Sequence, residues 1–484
     1  MAPSDIRHQL LTVFGAAVDA VAAGPALTAA LERAGVSTQK RVWILSLGKA
    51  ALPMAEAAAE ALRRKGARPA GGIIIPPTAS IAPHPSLIVA VGNHPIPGQR
   101  SNLAAARLGD VVARVLPEDE VWVLLSGGAT SLAAAPVMGV RNDELVELFD
   151  LLLASGRDVA FMNRVRKRFL RWGAGRLAAA LEPARVRNFI VSDVIGDDLN
   201  VIGSGPCMPD DSTAAEVRSM LVEARLWDRV PMGVKRYLAA AERDATLETP
   251  KPGAPAFFKV EKRVVASNRM ALEAAATKAF GIGYEPRIMT TPISGEASEY
   301  GRRIASALLA FRAAGAATGR LATPIRNVSV TPRVSAAIAQ TTGGEPRRAG
   351  PLGTCFIWGG EPTVTLGDAP PGRGGRCQEL ALAAARELGA AGRVADGVLL
   401  LAGGTDGRDG TSDVAGAVVD GSTWKAVEAA SRDPERHLRD HDSYHALAAA
   451  GALFRTGLTY TNVMDVVIGV CAAGGIPDPE KVGG

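Results

Sequence analysis

Short apolar runs alternate along the chain with longer segments whose apolar residues recur at helical spacing. Ile6, Leu10, Val13 and Phe14 share one side of the first helical segment, and a short apolar run follows at 42–45. Short apolar runs between helical segments predict buried strands, and this alternation predicts a parallel sheet with helices on both faces. The further predicted strands lie at 72–75, 87–91, 121–125, 189–191, 262–266, 355–358, 398–401 and 462–468.

One segment interrupts this alternation near the middle of the chain. Residues 248–255 read ETPKPGAP, which is dense in Pro and Gly and has no periodicity, as is typical of a linker. We therefore predict an N-terminal domain at 1–248 and a C-terminal α/β domain at 249–484. Within the latter, residues 312–350 are rich in Ala, Gly, Arg, Thr and Pro, and we predict a mobile insertion there.

Composition and charge narrow the class of protein. The chain is 47% hydrophobic and 21% charged, which is ordinary globular usage. Its net charge of +5 is small and its basic residues are scattered along the chain, so we expect no nucleic-acid partner. The uncharged run at 121–140 contains Ser, Gly, Thr and Pro, and the N-terminus lacks the layout of a signal peptide, so we expect a soluble, cytoplasmic protein. No metal-site or disulfide spacing relates the four cysteines, Cys207, Cys355, Cys377 and Cys471.

A Gly-rich polar turn follows the predicted strand at 121–125. It reads SGGATS at 126–131, with two glycines and three hydroxyls. Ligands of parallel sheets bind at the carboxyl ends of the strands, and glycine lets the backbone approach an anion closely. A phosphate or carboxylate site and a plain strand-to-helix turn remain open on spacing alone.

Lys49 follows the predicted strand at 42–45 and could bring a positive charge to the same edge. The segment is not a Walker A loop, because Trp43 and Ala50 stand where that motif needs Gly and Ser or Thr. The alternative is an ordinary surface lysine.

Three carboxylates, Asp193, Asp197 and Asp198, follow the strand at 189–191. Clustered carboxylates repel one another unless a cation or a helix cap relieves them, and Mg²⁺ binds one or two carboxylates together with phosphates. We favour a cation-linked role, with helix N-capping as the alternative. The turn at 203–206, GSGP, is another Gly-rich loop whose backbone could approach a ligand closely.

The second half carries its own polar turns. Glu361 follows a predicted strand, and Arg373 and Arg376 lie in a Gly-rich loop that opens a helix, which is typical of an anion clamp. Asp406 lies in the turn GGTDGRDGTSD after the strand at 398–401. We reject calcium there because the EF-hand spacing and its closing Glu are missing.

Other catalytic signatures are absent or weak. The chain has no GxSxG motif, and its GxGxxA match at 173–178 does not follow a predicted strand. His437, His441 and His445 recur at four-residue spacing. They could bind a metal from one helix face, but their polar neighbours favour an exposed, solvated face.

The motifs taken together resemble the glycerate 2-kinase family, whose C-terminal part is called the MOFRL domain. Their number and order make the resemblance specific, and it spans nearly the whole chain. The motifs are SGGATSL at 126–132, NRVRK at 163–167, SDVIGDD at 192–198, IGSGP at 202–206, GGEPTV at 359–364, GRGGRCQELALAAAR at 372–386 and TDGRDGTSDVAGA at 405–417.

The resemblance implies two Rossmann-like α/β domains, each with a mostly parallel sheet, and an active site in the cleft between them. The MOFRL region covers about 352–470. It also implies ATP-dependent phosphorylation of D-glycerate, or a related small 2-hydroxy acid, at the 2-hydroxyl to give 2-phosphoglycerate, with Mg²⁺. The expected partners are the small acid and the nucleotide, and a homodimer is left open. Hydroxypyruvate reduction and a non-catalytic small-acid or nucleotide-binding role are the alternatives.

The resemblance also assigns residues. Lys49 and Arg376 are the expected catalytic pair, and Asp193 is the expected Mg²⁺ ligand. The nucleotide and its cation are expected at Ser126, Gly127, Gly128, Thr130, Ser131, Asp193, Asp197, Asp198, Gly203, Ser204 and Gly205. The acid is expected at Glu361, Arg373, Gln378, Glu379 and Asp406.

The sequence departs from the family pattern at several positions where we expect substrate contacts. The His, Ser and Lys of the segment VRKHLSxIKGGRLA are replaced here. The first and last residues of GHPxPD, the Asn of GGRNQE, and the Pro and second Gly of TGPTGTNV also differ. The residues now present are Arg168, Leu170, Gly173, Asn93, Gly98, Cys377, Leu458 and Tyr460.

Overall fold

The computed structural model describes residues 3–318, 352–367 and 370–473. Its contacts separate two compact units: an N-terminal unit, Ala23–Ala266, and a C-terminal unit formed by Met1–Ala22 with Ser267–Gly484. The first helix, α1 (Pro3–Ala20), thus belongs with the second half of the chain. This division differs from the prediction of one boundary at 248 in two ways. The first 22 residues join the C-terminal unit, and the N-terminal unit extends to Ala266.

The N-terminal unit is built on a six-stranded parallel sheet. Its spatial order, β3-β2-β1-β4-β5-β6, is the Rossmann order, so the predicted fold class is confirmed for this unit. The order reverses between β1 and β4, which places the topological switch point there. The strands are β1 (Val42–Leu47), β2 (Pro69–Ile75), β3 (Leu87–Val89), β4 (Glu120–Leu125), β5 (Arg185–Val191) and β6 (Val260–Ala266).

Helices connect these strands, and every residue of β1 and β4 is buried. Continuous apolar strands of this kind are typical of a parallel sheet covered on both faces. The helices are α2 (Ala23–Ala34), α3 (Ala51–Arg64), α4 (Gln99–Val112), α5 (Ala129–Leu132), α6 (Asn142–Leu153), α7 (Val159–Arg168), α8 (Arg176–Leu181), α9 (Ala214–Glu223) and α10 (Met232–Ala241).

The segment predicted as a linker is part of the N-terminal unit. Glu248 accepts a hydrogen bond from Arg168 Nη1 at 2.8 Å, and Thr249 is only 2% exposed. The strand that follows, β6, pairs in parallel with β5. Pro and Gly density predicted a boundary there, but long-range hydrogen bonds and the pairing of the next strand keep the segment in the N-terminal unit.

The C-terminal unit is built on a seven-stranded mixed sheet in the order β12-β11-β10-β13-β9-β7, with β8 also paired to β9. β7 and β8 run parallel to β9, and the pairings among β9, β10, β11, β12 and β13 are antiparallel. The prediction of a mostly parallel sheet therefore does not hold for this unit. Its strands are β7 (Tyr284–Ile288), β8 (Ile293–Glu296), β9 (Gly353–Thr363), β10 (Val398–Gly404), β11 (Gly416–Asp420), β12 (Leu453–Phe454) and β13 (Asp465–Ala472).

The helices of the C-terminal unit pack around this sheet and bury an aliphatic and aromatic core. Residues 312–318 complete α12, and the rest of the predicted insertion lies outside the described residues. The helices after α1 are α11 (Asn268–Ile282), α12 (Ala297–Thr318), α13 (Arg376–Ala390), α14 (Thr423–Ala429), α15 (Pro434–Arg439) and α16 (Ser443–Ala449).

Across the described ranges, no single helix is long and apolar enough to cross a membrane. The bent pair α1 and α2 meets the length and composition criteria only when the two are counted together.

Candidate active site

Two turns meet at the switch point of the N-terminal sheet, where β1 and β4 end. The Lys49 N–H donates to the Gly127 carbonyl at 2.8 Å, and the Ala50 N–H donates to Ser126 Oγ at 3.0 Å. These bonds fix the turn that carries Lys49 to the Gly-rich loop at 126–131. The sequence-predicted lysine and loop therefore lie at one edge, where parallel sheets bind their ligands.

The two glycines of the loop permit close approach by other side chains. A Cβ atom at Gly127 would overlap the Asp193 carboxylate, which therefore lies directly against the loop. Gly128 has a φ of +80°, and a Cβ there would lie 2.9 Å from His94 Cδ2 and 3.4 Å from Lys49 Cγ. Any side chain at either position would displace these groups.

The loop at 203–205 joins the same cluster. Thr130 Oγ1 and Ser204 Oγ lie 2.8 Å apart, and Ser131 Oγ donates to the Gly128 carbonyl at 3.1 Å. Gly203, Ser204 and Gly205 all have positive φ angles, which are costly for the serine. The hydroxyls thus hold the two loops together.

The three predicted carboxylates are not gathered at one point. Asp193 is half-buried beside Gly127, whereas Asp198 is exposed and accepts hydrogen bonds from Asn200 N at 3.0 Å and Asn200 Nδ2 at 3.2 Å. Asp197 is half-buried with a φ of +56°. Within the described ranges no group of three or more His, Cys, Asp or Glu residues could hold a metal. Of the three, Asp193 is the carboxylate at the Gly-rich loop.

The Lys49 side chain is half-buried, and its ammonium makes no hydrogen bond or ion pair with any residue that the structure describes. Partial desolvation, and after it the Lys49 charge, lowers the pKa of His94 below its ordinary value. His94 is not among the residues that the sequence predicted for the site. The one available signal was its position in the GHPxPD-like segment at 93–98.

In the C-terminal unit, Arg376 is the first residue of α13 and is held by two carboxylates. Nε and Nη2 donate to the two oxygens of Asp465 at 2.6 and 3.0 Å, and Nη1 donates to Glu361 Oε1 at 2.6 Å. The pair with Asp465 is bidentate, which fixes the plane of the guanidinium. Burial opposes its charge, but Asp465 and Glu361 together raise the pKa of Arg376.

Asp465 itself is 1% exposed. Burial raises the pKa of Asp465 to about 7, and the nearby Asp409 and Glu361 carboxylates add to that rise against the opposing effect of Arg376. A Cβ at Gly404 would lie 3.3 Å from Asp406 Oδ1 and 3.5 Å from Asp465 Oδ1. Asp406 therefore lies at the same sheet edge as the Arg376 cluster.

Gln378 and Glu379 are buried, so the structure does not support the predicted direct contacts with substrate. Asp409 accepts hydrogen bonds from the Cys377 N–H at 3.0 Å, and from the Gln378 N–H and Nε2 at 2.7 and 2.8 Å. Glu379 bonds His441 Nδ1 at 2.9 Å. These side chains fasten the start of α13, which positions Arg376.

Arg373 is engaged away from Arg376. Its Nη2 donates to Asp413 Oδ1 at 2.7 Å, and its guanidinium lies 3.8 Å from the centroid of the Tyr444 ring. The structure therefore brings Arg376, Glu361 and Asp406 to one edge, whereas Arg373 belongs to a neighbouring surface cluster.

Comparison with known proteins matches two parts of the chain to two families. A family described as Domain of unknown function (DUF4147) matches residues 9–239, and the MOFRL family matches 354–465. A D-glycerate 2-kinase from Thermotoga maritima is 32% identical over 97% of this chain and 99% of its own. A glycerate 2-kinase from Pyrococcus horikoshii is also 32% identical, over 97% of this chain and 98% of its own. The chain belongs to the glycerate 2-kinase family.

A solved structure agrees with this membership of the glycerate 2-kinase family. The crystal structure of a glycerate kinase from Thermotoga maritima matches with a TM-score of 0.79 and 32% identity, covering 97% of this chain and 100% of that one. The predicted family, enzyme class and α/β fold are thus confirmed.

One departure from the glycerate 2-kinase pattern, Arg168, lies in the interior. Its side chain is fully buried and donates to Glu248 Oε2 at 2.8 Å, to Asp210 Oδ2 at 3.4 Å and to the Ser212 carbonyl at 2.5 Å. Lys167 Nζ completes the network 2.8 Å from Asp210 Oδ1. Arg168 is therefore a structural residue in this family member, contrary to the expected substrate contact.

Three further departures are also internal. Leu170 is 4% exposed in a hydrophobic core, and Cys377 is 1% exposed with the pKa of its thiol raised by burial. A Cβ at Gly173 would lie 2.8 Å from the Lys167 carbonyl oxygen. All three positions are buried, so the structure does not support direct substrate contacts there.

Gly98 and Tyr460 are two departures that reach the surface. Gly98 is half-buried just before α4, and Tyr460 is 61% exposed with a φ of +54° in the loop between β12 and β13. The left-handed conformation suits the glycine that the family pattern has at the latter position. Of the two, Tyr460 has the side chain that is open to solvent.

The three spaced histidines form carboxylate pairs. His437 and His445 bond the two oxygens of Asp442 at 2.9 and 2.6 Å, and His441 bonds Glu379. They lie on two short helices and the turn between them, and His445 has the most exposed of the three side chains, at 47%. The prediction of one solvated helix face was wrong, because the turn redirects the side chains.

The buried Arg168 network predicts a large effect on stability. Arg168→Met leaves Asp210 and Glu248 short of a buried cation, and we expect it to lower the free energy of unfolding by about 3–5 kcal/mol. Urea unfolding at neutral pH measures this. Arg164→Met, on the exposed side of the same helix, is the control and should change stability by less than about 0.5 kcal/mol. Equal effects of the two variants would contradict a buried ion network.

The proximity of Lys49 and His94 predicts a measurable pKa change. Lys49→Met removes a positive charge that disfavours the imidazolium, so the pKa of His94 should rise toward its ordinary value, with desolvation still holding it below. NMR titration of the His94 ring protons measures the shift. Lys65→Met, at an exposed position, should leave the titration unchanged. An unshifted His94 in Lys49→Met would contradict their proximity.

Proposed function

We propose that this chain catalyses ATP-dependent phosphorylation of D-glycerate, or a related small 2-hydroxy acid, at the 2-hydroxyl to give 2-phosphoglycerate. The observation that carries the proposal is a lysine whose ammonium has no partner among the described residues, beside a Gly-rich loop at the switch point of a Rossmann-ordered sheet. The names of the relatives support the same reaction. Phosphoryl transfer depends mainly on positioning and charge neutralisation, which such an edge supplies.

The N-terminal edge is suited to the nucleotide phosphates. The loop at 126–131 offers close backbone approach, and Lys49 offers a cation with no internal partner among the described residues. We propose that Lys49 stabilises the charge of the transferring phosphoryl group. Asp193, half-buried against Gly127, would hold Mg²⁺, because one carboxylate with phosphate and water oxygens satisfies that ion. When bound, Mg²⁺ neutralises phosphate charge.

The C-terminal edge is suited to the acid. Arg376 uses three of its five N–H groups on Asp465 and Glu361, which leaves two for a carboxylate or a phosphoryl oxygen. We propose that Arg376 clamps this anion. Asp406, at the same edge, would accept a hydrogen bond from a hydroxyl of the acid, whereas Gln378 and Glu379 act by positioning Arg376.

The two alternatives have less support. Hydroxypyruvate reduction needs a dinucleotide fingerprint, and the GxGxxA match at 173–178 comes after helix α7 rather than a strand. A non-catalytic role was motivated by lost family residues, but Arg168, Leu170 and Gly173 lie in the interior and leave Lys49 and its loop unaltered.

We also propose a cytoplasmic location. The four cysteines are all free and buried, which agrees with a reducing compartment.

The test is ADP formation with ATP and Mg²⁺ over a panel of small hydroxy acids that includes D-glycerate, hydroxypyruvate and L-glycerate. Phosphorus NMR identifies the phosphorylated position. We expect turnover of D-glycerate, or of a related 2-hydroxy acid, with the phosphate on C2. A product phosphorylated at C3, or no turnover on the panel above the acid-free rate, would overturn the proposal.

A further inference from the structure

His94 lies against the Gly-rich loop at 126–131 and has no assigned role in the proposed reaction. A Cβ at Gly128 would lie 2.9 Å from its Cδ2 and 3.0 Å from its Nε2, so the Nε2 edge of the ring faces the loop. The same Cβ would lie 3.4 Å from Lys49 Cγ. The imidazole and the lysine thus flank one glycine of the loop.

The backbone that carries His94 is held firmly. The Gly92 N–H donates to the Pro76 carbonyl at 3.2 Å, and the Asn93 N–H donates to Ser101 Oγ at 3.0 Å. Asn93 Oδ1 in turn accepts from the Arg100 N–H at 3.0 Å. His94 itself is exposed, and its ring nitrogens make no hydrogen bond with the residues that the structure describes. The backbone next to His94 is therefore held, and the ring nitrogens are free to accept a proton.

The other titratable groups at this edge are less suited to act as a base. Lys49 is a cation, and Asp193 lies against Gly127 and is the proposed Mg²⁺ ligand. We propose that His94 is a further catalytic residue that accepts the proton of the acceptor hydroxyl during phosphoryl transfer. This inference rests on the proposed function.

The step balances with ATP as the phosphoryl donor. The hydroxyl oxygen attacks the γ-phosphorus and forms a new O–P bond, while the bond from that phosphorus to the β–γ bridging oxygen breaks. Its electron pair leaves with ADP. The hydroxyl proton passes to His94 Nε2 and then to water, which restores the neutral ring.

The surroundings keep the imidazole in the form that this role needs. Partial desolvation and the Lys49 charge lower the pKa of His94, so the ring is neutral and able to accept a proton at neutral pH. Its protonation at acid pH should produce an acid limb in the pH profile of kcat.

The test compares His94→Gln and His94→Gly with the wild type, using D-glycerate or whichever panel acid the wild type turns over. We expect kcat to fall about 10²- to 10⁴-fold in both variants, with KM for ATP nearly unchanged. The acid limb should be lost, and added imidazole should restore part of the rate of His94→Gly in proportion to its neutral form. His8→Gln, on the exposed side of α1, is the control and should retain the wild-type rate and profile.

Outcomes separate the two proposals. An active wild type whose His94 variants keep kcat and the acid limb would overturn the role of His94 and leave the proposed function standing. Reduced activity that imidazole does not restore, with an unchanged acid limb, would also overturn it, because a structural role predicts that pattern. A wild type inactive on every acid overturns both.

Discussion

Replacing Lys49 with methionine is expected to lower kcat by about 10²- to 10³-fold, the usual effect of removing one group that stabilises transition-state charge. The Lys49 N–H to Gly127 bond and the Ala50 N–H to Ser126 bond are made by the backbone, so the substitution leaves the turn in place. The ammonium has no partner in the described structure, so its loss strands no buried carboxylate. Activity should therefore fall without loss of stability.

Steady-state kinetics with ATP and the preferred acid, together with urea unfolding, measure the two effects. The control is Lys65→Met. It removes an exposed charge directly after α3, the helix that follows Lys49, and should keep wild-type kinetics. A Lys49→Met enzyme within about threefold of wild-type kcat would rule out a role for the ammonium in transfer, since charge stabilisation is worth far more than that.

The sequence located the turns of the N-terminal edge, but not which side chains lie next to them in the fold. The ends of β1 and β4 could be located because each is an apolar run followed by a polar turn. Their adjacency depends on sheet order, which local patterns do not determine. His94 illustrates the limit: it follows the short strand β3, and only the folded loop brings it against Gly128.

The C-terminal edge shows the same limit through burial. The resemblance implied that Gln378 and Glu379, at the start of a helix, contact the acid, but both side chains are buried. Asp409 accepts the hydrogen bonds of Gln378, and Glu379 pairs with His441. Sheet direction was missed for a related reason. A buried strand is an apolar run whether its neighbour is parallel or antiparallel, so the run does not show direction. A parallel neighbour usually needs a helical connection, and the connection at 405–415 between β10 and β11 has no helix, which permits the antiparallel pairing.

Arg376 carries the second large prediction, and it concerns activity and stability together. Arg376→Met should abolish the anion clamp and lower kcat/KM by at least about 10²-fold. It also leaves the nearly inaccessible Asp465 without its cation, and at about pH 9, where the wild-type carboxyl is ionised, this should lower the free energy of unfolding by about 3 kcal/mol. The control is Arg386→Met, on the same helix. It breaks an exposed ion pair with Glu435, 3.2 Å between Nη1 and Oε1, and should lower the free energy of unfolding by less than about 1 kcal/mol.

The stability loss in Arg376→Met should depend on pH in a stated direction. Burial raises the pKa of Asp465 to about 7 even beside Arg376, and losing the arginine raises it further. Below that range the carboxyl is protonated in both proteins and needs no cation, so the deficit should close. It should open as pH rises through 7, because the variant's native state must then retain a proton that the unfolded state has released. A deficit that grows toward acid pH would contradict this assignment.

The double variant Arg376→Met/Asp465→Asn separates the two roles of the arginine. Removing both charges takes away the buried unpaired carboxylate, so most of the lost stability should return, and the pH dependence of the deficit should vanish. Activity should not return, because the clamp is still missing. If the double variant recovered activity along with stability, the arginine would act only by holding the fold, and the proposed contact with the acid or the phosphoryl group would be wrong.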